Sequence, residues 1–294
     1  MIDFPDIGPT IFSVSLGGYE LALRWYALSY IVGFICALYI MKFLIRRDEL
    51  WFKQSSPLKV SQADDILTYL IIGVILGGRL GYVLFYNFDY YLSKPLDTIK
   101  IWDGGMSFHG GFIGVILAVF LYSKSKGLPL WSVADLIAIA SPPGLFFGRI
   151  SNFINNELWG RPTSMPWGVI FPGAEAQACE VVLGPCARHP SQIYEAILEG
   201  LILFGILIFL AFRGSLKRPG ASAGLFFIGY GLSRFLIEYY RVPDAQFITV
   251  QNPNGFAFQV GPIGLTMGQS LSIPMIIIGG ILIFRSYLFF EKFK

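Results

Sequence analysis

Residues 25–45 read WYALSYIVGFICALYIMKFLI, a run of twenty-one residues whose only charged side chain is Lys42. A helix crosses the roughly 30 Å hydrocarbon core of a bilayer with about 20 predominantly apolar residues. The run is long enough to do so, and two more cations, Arg46 and Arg47, follow it at once. This stretch predicts a membrane-spanning helix that ends against a basic loop.

The rest of the chain repeats this pattern of apolar runs separated by polar loops. We place seven predicted spans near residues 25–45, 64–86, 107–125, 133–150, 192–213, 221–240 and 266–288. Hydrophobic residues make up 54% of the chain and charged residues 14%, against about 25% charged in a typical soluble domain. The sequence predicts an all-α integral membrane protein of about seven transmembrane helices, forming a single membrane domain over residues 1–294.

The distribution of lysine and arginine orients these spans. Four sites are basic: Arg46, Arg47, Lys53 and Lys59; Lys124 and Lys126; Arg213, Lys217 and Arg218; and Lys292 and Lys294. With seven spans all four fall on one side, which the positive-inside rule assigns to the cytoplasm. We therefore expect the N-terminus outside and the C-terminus inside. The two longest loops, 151–191 and 241–265, then lie outside, where we expect them to form a small head.

Composition also excludes several partners and cofactors. A net charge of +3 without a basic, aromatic-rich patch argues against a nucleic-acid partner. Three cysteines without a C-x-x-C pair, together with two histidines, argue against a zinc site. We expect no metal and no cofactor. Cys179 and Cys186 lie close enough in sequence to form a disulfide on the oxidising side, and the sequence leaves that pairing open.

Several polar residues lie where lipid should exclude them. They are Arg79, His109, Arg149, Asn152, Glu195, Arg234 and Glu238. Ionisable groups inside spans are costly and by default indicate a functional site. All lie near the predicted outer ends of their spans, so bundling would bring them to one outward-facing polar cavity. Several arginines in that cavity favour a phosphate ligand, such as a phospholipid headgroup, because the guanidinium fork donates two hydrogen bonds at once.

Structural roles for some of these residues stay open at this point. Arg79 could pair with a helix C-terminus or a carboxylate. Arg234 and Glu238 are four residues apart on one helix face and could simply neutralise each other. His109, beside two glycines, could cap a packed helix.

Two other function classes are also compatible with the composition. A transporter would place its polar site near the span centres and show internal symmetry. A headgroup phosphotransferase would need a divalent metal. The outer-end clustering and the lack of an acidic metal motif weigh against both.

The stretch GRISNFINNELWGRPT at residues 148–163 closely resembles the signature of bacterial phosphatidylglycerol–prolipoprotein diacylglyceryl transferases. Further resemblance lies in residues 24–26, 77–82, 107–111, 189–195 and 234–244, so that it covers nearly the whole chain in order. Ala27 and Asn156 depart from the family, which often has glycine at these positions. Neither departure removes a functional side chain.

This resemblance implies a reaction and its partners. The enzyme would move the diacylglyceryl group of phosphatidylglycerol to the lipobox cysteine thiol of a prolipoprotein signal peptide, releasing glycerol 1-phosphate. This is the first step of lipoprotein maturation, in the bacterial inner membrane. The fold implied is a seven-helix body with an outer head. Because Cys36, Cys179 and Cys186 lie outside the family motifs, the reacting cysteine comes from the substrate protein.

The resemblance also implies roles for individual residues. The catalytic residues would be His109, Arg149, Arg234 and Tyr26. Arg149 and Arg234 would bind the phosphate, and His109 would be the base. Asn152, Glu157 and Glu238 would position lipid or hold the arginines, and Gly160 would allow close backbone approach. Arg161, which follows in the motif, is given a structural role.

Overall fold

The computed structural model describes residues 1–16, 19–179, 184–243, 245–261 and 263–291. Its helices are α1 Trp25–Ile45, α2 Gln62–Phe85, α3 Phe88–Ser93, α4 Phe108–Lys126, α5 Leu130–Ala140, α6 Pro142–Ile154, α7 Ala174–Gln177, α8 Ser191–Glu195, α9 Leu203–Phe212, α10 Ala221–Ile237 and α11 Met267–Glu291. Its strands are β1 Ile2–Asp3, β2 Thr10–Leu16, β3 Tyr19–Arg24, β4 Val169–Ile170, β5 Ala187–Arg188, β6 Phe258–Val260 and β7 Ile263–Leu265. Glu180, Asp244, Lys292 and Lys294, which the sequence argument used, lie outside the described residues.

Among the described residues, six helical stretches are long and apolar enough to cross a membrane, and α10 is a shorter apolar helix. The predicted all-α membrane fold of about seven spans is confirmed. Two stretches are not single regular helices. The stretch Leu130–Ile154 is divided into α5 and α6, and α6 begins at Pro142. In Ser191–Phe212, a π-helix over Ala196–Ile202 joins α8 to α9.

Glycines set the closest helix contacts, as expected where apolar attraction cannot distinguish helix from lipid. Helices α2 and α4 pack backbone to backbone, because a Cβ on Gly77 or Gly110 would meet the other helix's main chain. Helices α10 and α11 do the same at Gly224 and Gly279. These contacts leave room for only a hydrogen atom, so they hold the helix pairs in one register.

The N-terminus of α10 is held by a carboxylate from another helix. Asp135 of α5 is fully buried and accepts hydrogen bonds from the backbone N–H groups of Gly220 and Ala223, each at 2.7 Å. A helix N-terminus carries partial positive charge and unpaired N–H groups, so a buried carboxylate stabilises it. This contact fixes the position of the N-terminal end of α10 relative to α5.

The basic loops meet at one end of the bundle. Lys42 near the end of α1 pairs with Asp64 at the start of α2, at 2.8 Å. The loop after α9 reaches the end of α11, where the Arg218 guanidinium lies 5.2 Å from the ring centroid of Tyr287. The loop after α1 reaches the same place, with Phe52 and Phe289 ring centroids 5.6 Å apart.

A small β-layer lies at the opposite end, beside the C-terminal end of α6. Strand β4 pairs in parallel with β1 and antiparallel with β5, so the chain's first residues join the loop that follows α6. Phe171 is fully buried between Phe4 and Phe153, with ring centroids 5.5 and 5.7 Å away. Cys179 and Cys186 form a disulfide in this layer. Antiparallel strands β2 and β3 lead directly into α1.

Arg79 has the structural role that the sequence left open, but its partners are main-chain carbonyl groups rather than a carboxylate. It is 4% exposed and donates to the carbonyl oxygens of Asp97 and Thr98, both at 2.7 Å, and of Gly104 at 2.5 Å. The guanidinium thereby ties the segment between α3 and α4 to the end of α2.

The convergence of the basic loops generates a topology prediction. In intact bacterial cells, an impermeant thiol reagent should label Ser164→Cys in the β-layer loop, but neither Ser55→Cys nor Ser215→Cys at the basic end, because lysine and arginine retain loops in the cytoplasm. Each variant is made in a Cys36→Ser background, and permeabilised cells show that all three sites react when reached. Labelling of residue 55 or 215 from outside would reverse the orientation.

Candidate active site

The site begins with two glutamates in an otherwise apolar span. Glu195 ends α8, and Glu199 lies one turn later in the π-helix; both side chains are fully buried. Residues four apart in a helical segment lie on neighbouring parts of one face, so both carboxylates turn towards the same side. A Cβ on Gly200 would meet the backbone of Phe146, so this segment lies directly against α6. π-Helical turns within α-helical runs frequently occur at functional sites.

Arg149 of α6 meets both carboxylates. One terminal nitrogen, Nη1, lies 3.2 Å from Glu195 Oε2, and the other, Nη2, lies 3.1 Å from Glu199 Oε2. The Arg149 Nε–H also donates to Glu199 Oε2 at 3.3 Å. The guanidinium is thus fixed in orientation by two partners on the facing segment.

Arg234 of α10 approaches Glu195 from the other side. Its Nη1 donates to Glu195 Oε1 at 2.6 Å, and its Nη2 lies 3.0 Å from Glu238 Oε2. Arg241 donates from Nη1 to the same Glu195 oxygen at 2.7 Å. Its Nε lies 3.7 Å from Glu238 Oε2 and has no hydrogen bond within the described residues.

In the described part of the chain this cluster therefore contains three arginines and three glutamates. Buried charges are tolerated when paired, and removing one partner of a buried pair typically costs about 3–5 kcal/mol. The glutamates are inaccessible, whereas the Arg149 and Arg234 side chains keep 16% and 21% of their surface exposed. The accessible part of the cluster is therefore cationic, as an anion-binding site requires.

A second hydrogen-bonded group joins α1 to α6. Tyr26 O–H donates to Glu157 Oε1 and accepts a hydrogen bond from Asn152 Nδ2, which also donates to Glu157 Oε1 at 2.7 Å. Gln192 Nε2 donates to the Glu157 carbonyl oxygen at 2.5 Å, which links this group to α8. Three of the predicted site residues are thus in direct contact.

Gly160 and Arg161 bind the backbone that carries Arg241. Gly160 forms an isolated antiparallel bridge with Arg241, and its N–H donates to the His189 carbonyl oxygen at 2.8 Å. A Cβ on Gly160 would meet the carbonyl oxygens of Tyr240 and His189, which explains why glycine stands there. Arg161 donates from Nε to the Arg241 carbonyl oxygen at 2.8 Å, in keeping with the structural role predicted for it.

His109 is placed by a different helix from those that carry the two groups. It lies exposed in the first turn of α4, its ring edge-on to that of Phe108. Phe108 stacks over Tyr230 of α10, with ring centroids 6.1 Å apart. His189 lies beside Gly160, whose N–H its carbonyl oxygen accepts. Burial lowers the pKa of the His189 imidazole.

The sequence places Glu195 in the predicted polar cavity but gives it no role, and it does not single out Glu199 or Arg241. Glu199 has the same signal, an acidic residue four positions on in the same apolar run, and Arg241 lies three positions after Glu238. The pairing of Arg234 with Glu238 exists, but Arg234 also binds Glu195, so simple neutralisation on one helix is not its whole role.

The cluster lies where α6 and α10 end and α8 begins, at the end of the bundle away from the basic loops. Within the described residues no three His, Cys, Asp or Glu side chains form a group that could hold a metal ion. Fold and site together define a multi-pass membrane protein with a buried arginine–glutamate cluster at one end of its helices.

The chain belongs to the prolipoprotein diacylglyceryl transferase family, whose sequence profile matches residues 12–285. Three relatives bear the name phosphatidylglycerol–prolipoprotein diacylglyceryl transferase. The protein from Cereibacter sphaeroides is 57% identical over 279 residues, covering 95% of both chains. That from Ruegeria pomeroyi is 55% identical over 280 residues, again 95% of both, and that from Roseobacter denitrificans is 55% identical over 286 residues, 97% of both. The family resemblance seen in the sequence is confirmed.

The tight bridge at Gly160 generates a prediction. Gly160→Ala should lower both the melting temperature and the activity, because forcing a methyl group into packed backbone typically costs about 1–3 kcal/mol. Gly8→Ala is the matched control, since a Cβ there meets nothing within 4 Å. Thermal unfolding of detergent-solubilised protein, followed by tryptophan fluorescence, measures the effect. Equal melting temperatures for the two variants would contradict it.

Proposed function

We propose that this chain transfers the diacylglyceryl group of phosphatidylglycerol to the lipobox cysteine thiol of a prolipoprotein. The observation that carries the proposal is the buried cluster in which Arg149, Arg234 and Arg241 converge beside the family signature. A phosphodiester headgroup at the membrane surface is an anion that guanidinium groups bind with matched geometry. The family membership supports the same substrate pair.

The reaction needs a nucleophile and a stabilised leaving group. The substrate thiol loses its proton, and the thiolate attacks the carbon of the diacylglyceryl group that is bonded to the phosphate oxygen. A carbon–sulfur bond forms, the carbon–oxygen bond to phosphate breaks, and its electron pair stays on the phosphate oxygen. The products are a thioether and glycerol 1-phosphate. Negative charge concentrates on the departing phosphate, where preorganised cations lower the barrier.

The residues divide these tasks according to their contacts. Arg149 and Arg234 bind the phosphate, held in orientation by buried carboxylates including Glu238. Tyr26, Asn152 and Glu157 form the neighbouring polar wall, where they position the glycerol portion of the lipid.

The thiol proton has a separate acceptor in this proposal. We assign it to His109, which is exposed in the first turn of α4. An imidazole accepts a proton near neutral pH, as the reaction requires.

Location follows from the same topology. We place the chain in the bacterial inner membrane with the N-terminus and the site outside and the C-terminus in the cytoplasm. The outer loops 151–191 and 241–265 form the head.

A direct assay tests this function. Purified protein in phosphatidylglycerol vesicles should raise the mass of a lipobox peptide by one diacylglyceryl group, and EDTA should not prevent it. Vesicles of phosphatidylethanolamine and a peptide with serine in place of cysteine are the controls. An unmodified peptide under these conditions would show that the proposed function is wrong, and loss of transfer with EDTA would show that the transfer needs a metal ion.

The arginine roles generate a sharper prediction. Arg149→Lys and Arg234→Lys should each lower the transfer rate by about 10²–10³-fold, because lysine keeps the charge but lacks the planar fork. Rates are measured at matched membrane abundance. Near-normal rates for both variants would exclude bidentate phosphate binding.

A double variant separates phosphate binding from neutralisation within α10. If Arg234 only neutralises Glu238, Arg234→Gln combined with Glu238→Gln should restore the activity lost in either single variant. Under the phosphate role the double variant stays inactive, because the missing cation is not replaced and Glu195 loses a partner as well.

A further inference from the structure

Glu195 contacts all three arginines of the ion-pair network. Its Oε1 accepts hydrogen bonds from Arg234 at 2.6 Å and Arg241 at 2.7 Å, while its Oε2 lies 3.2 Å from Arg149 Nη1. Arg234 and Arg241 both donate to Oε1, whereas the contact of Arg149 with Oε2 is an ion pair without a hydrogen bond within the described residues. The side chain is completely buried, so within the described residues these arginines are its charge partners.

The remaining pairs do not connect the three arginines. Within the described residues, Glu199 pairs with Arg149, and Glu238 pairs with both Arg234 and Arg241. Without Glu195, the network of the described residues separates into two groups. Arg149 and Glu199 form one group, and Arg234, Glu238 and Arg241 form the other. Among the described residues, Glu195 is therefore the one carboxylate that joins Arg149 to Arg234 through ion pairs, and it does so from α8, a third segment.

We infer that Glu195 is the positioning residue that sets the spacing of Arg149, Arg234 and Arg241 for one shared anion. The inference rests on the proposed function for the identity of that anion, a lipid phosphate. Guanidinium groups repel one another, and a shared carboxylate offsets this repulsion. Its hydrogen bonds orient Arg234 and Arg241, and its charge keeps Arg149, which Glu199 orients, close to them. Misplacement of a reacting group by about 1 Å costs about 10²-fold in rate, so the spacing matters for turnover.

The first test observes the arginines themselves. Protein labelled with ¹⁵N-arginine, in detergent micelles, should show restrained, slowly exchanging guanidinium signals for Arg234 and Arg241. In Glu195→Gln both should become mobile and exchange faster, because the amide keeps one oxygen and loses the charge. Arg188 is the internal reference, since it is buried and donates to the carbonyl oxygens of Ala176 and Ala178 instead.

Glu199→Gln is the matched control variant. Glu199 is as deeply buried as Glu195 but pairs with Arg149 alone. Its substitution should change the Arg149 signal and leave those of Arg234 and Arg241 as in the unaltered protein. Unchanged Arg234 and Arg241 signals in Glu195→Gln would overturn the inference, whatever the activity.

The second test separates positioning from stability. For Glu195→Gln we expect kcat to fall about 10²-fold, while KM for phosphatidylglycerol changes far less because the site gains rather than loses positive charge. Glu195→Asp, which keeps the charge on a shorter stem, should recover part of kcat. A merely structural role predicts the opposite pattern: both variants unfold more readily, and the folded fraction keeps its normal kcat.

These outcomes also distinguish failure of the inference from failure of the proposed function. If the unaltered protein transfers no diacylglyceryl group, the function is wrong, and the arginine signals still decide whether Glu195 holds the cluster. If transfer occurs but kcat is unchanged in Glu195→Gln, the function stands and the positioning role is excluded.

Discussion

The pairing of buried charges between α6, α8 and α10 is the constraint on which the site depends. Removing a guanidinium or a carboxylate from water is costly, and the cost is offset only when partners of opposite charge meet in good geometry. Glu195 pairs with three arginines at once, and two of them, Arg234 and Arg241, donate hydrogen bonds to it. The three segments must therefore keep their relative positions, because any separation leaves a charge buried without its partner.

The helix packing provides that rigidity. Gly200 lets the π-helix lie on α6, and glycines at the α10–α11 contact bring those two backbones together. Asp135 fixes α10 from its opposite end through two backbone hydrogen bonds. The arginine–glutamate cluster is thus supported by helix contacts that do not involve its own ion pairs.

The loop signature contributes through its backbone as well as its side chains. Glu157 and Asn152 contact Tyr26, whereas Gly160 and Arg161 bind the backbone of the segment that carries Arg241. One continuous motif therefore joins the polar wall of the site to the arginine cluster. A Cβ at Gly160 would displace the backbone next to Arg241, so this glycine is linked to the cluster through the main chain.

The sequence by itself determined the membrane class, the approximate spans and the family, because these depend on runs of consecutive residues. It also identified Arg149 and Arg234, since an arginine in an apolar run stands out alone. It left Arg79 undecided between a carboxylate and a helix end, and in the fold Arg79 donates to carbonyl groups in the last turn of the 3₁₀-helix Pro95–Ile99.

Only the tertiary structure decided that Glu195, Glu199 and Arg241 complete the cluster. Their partners come from segments distant in sequence, and which charges meet depends on glycine-controlled helix contacts and on a π-helix. A run of apolar residues indicates that a segment enters the membrane. It does not indicate which side of a neighbouring helix that segment will contact. That choice is made by packing many side chains at once, which no single stretch of the sequence contains.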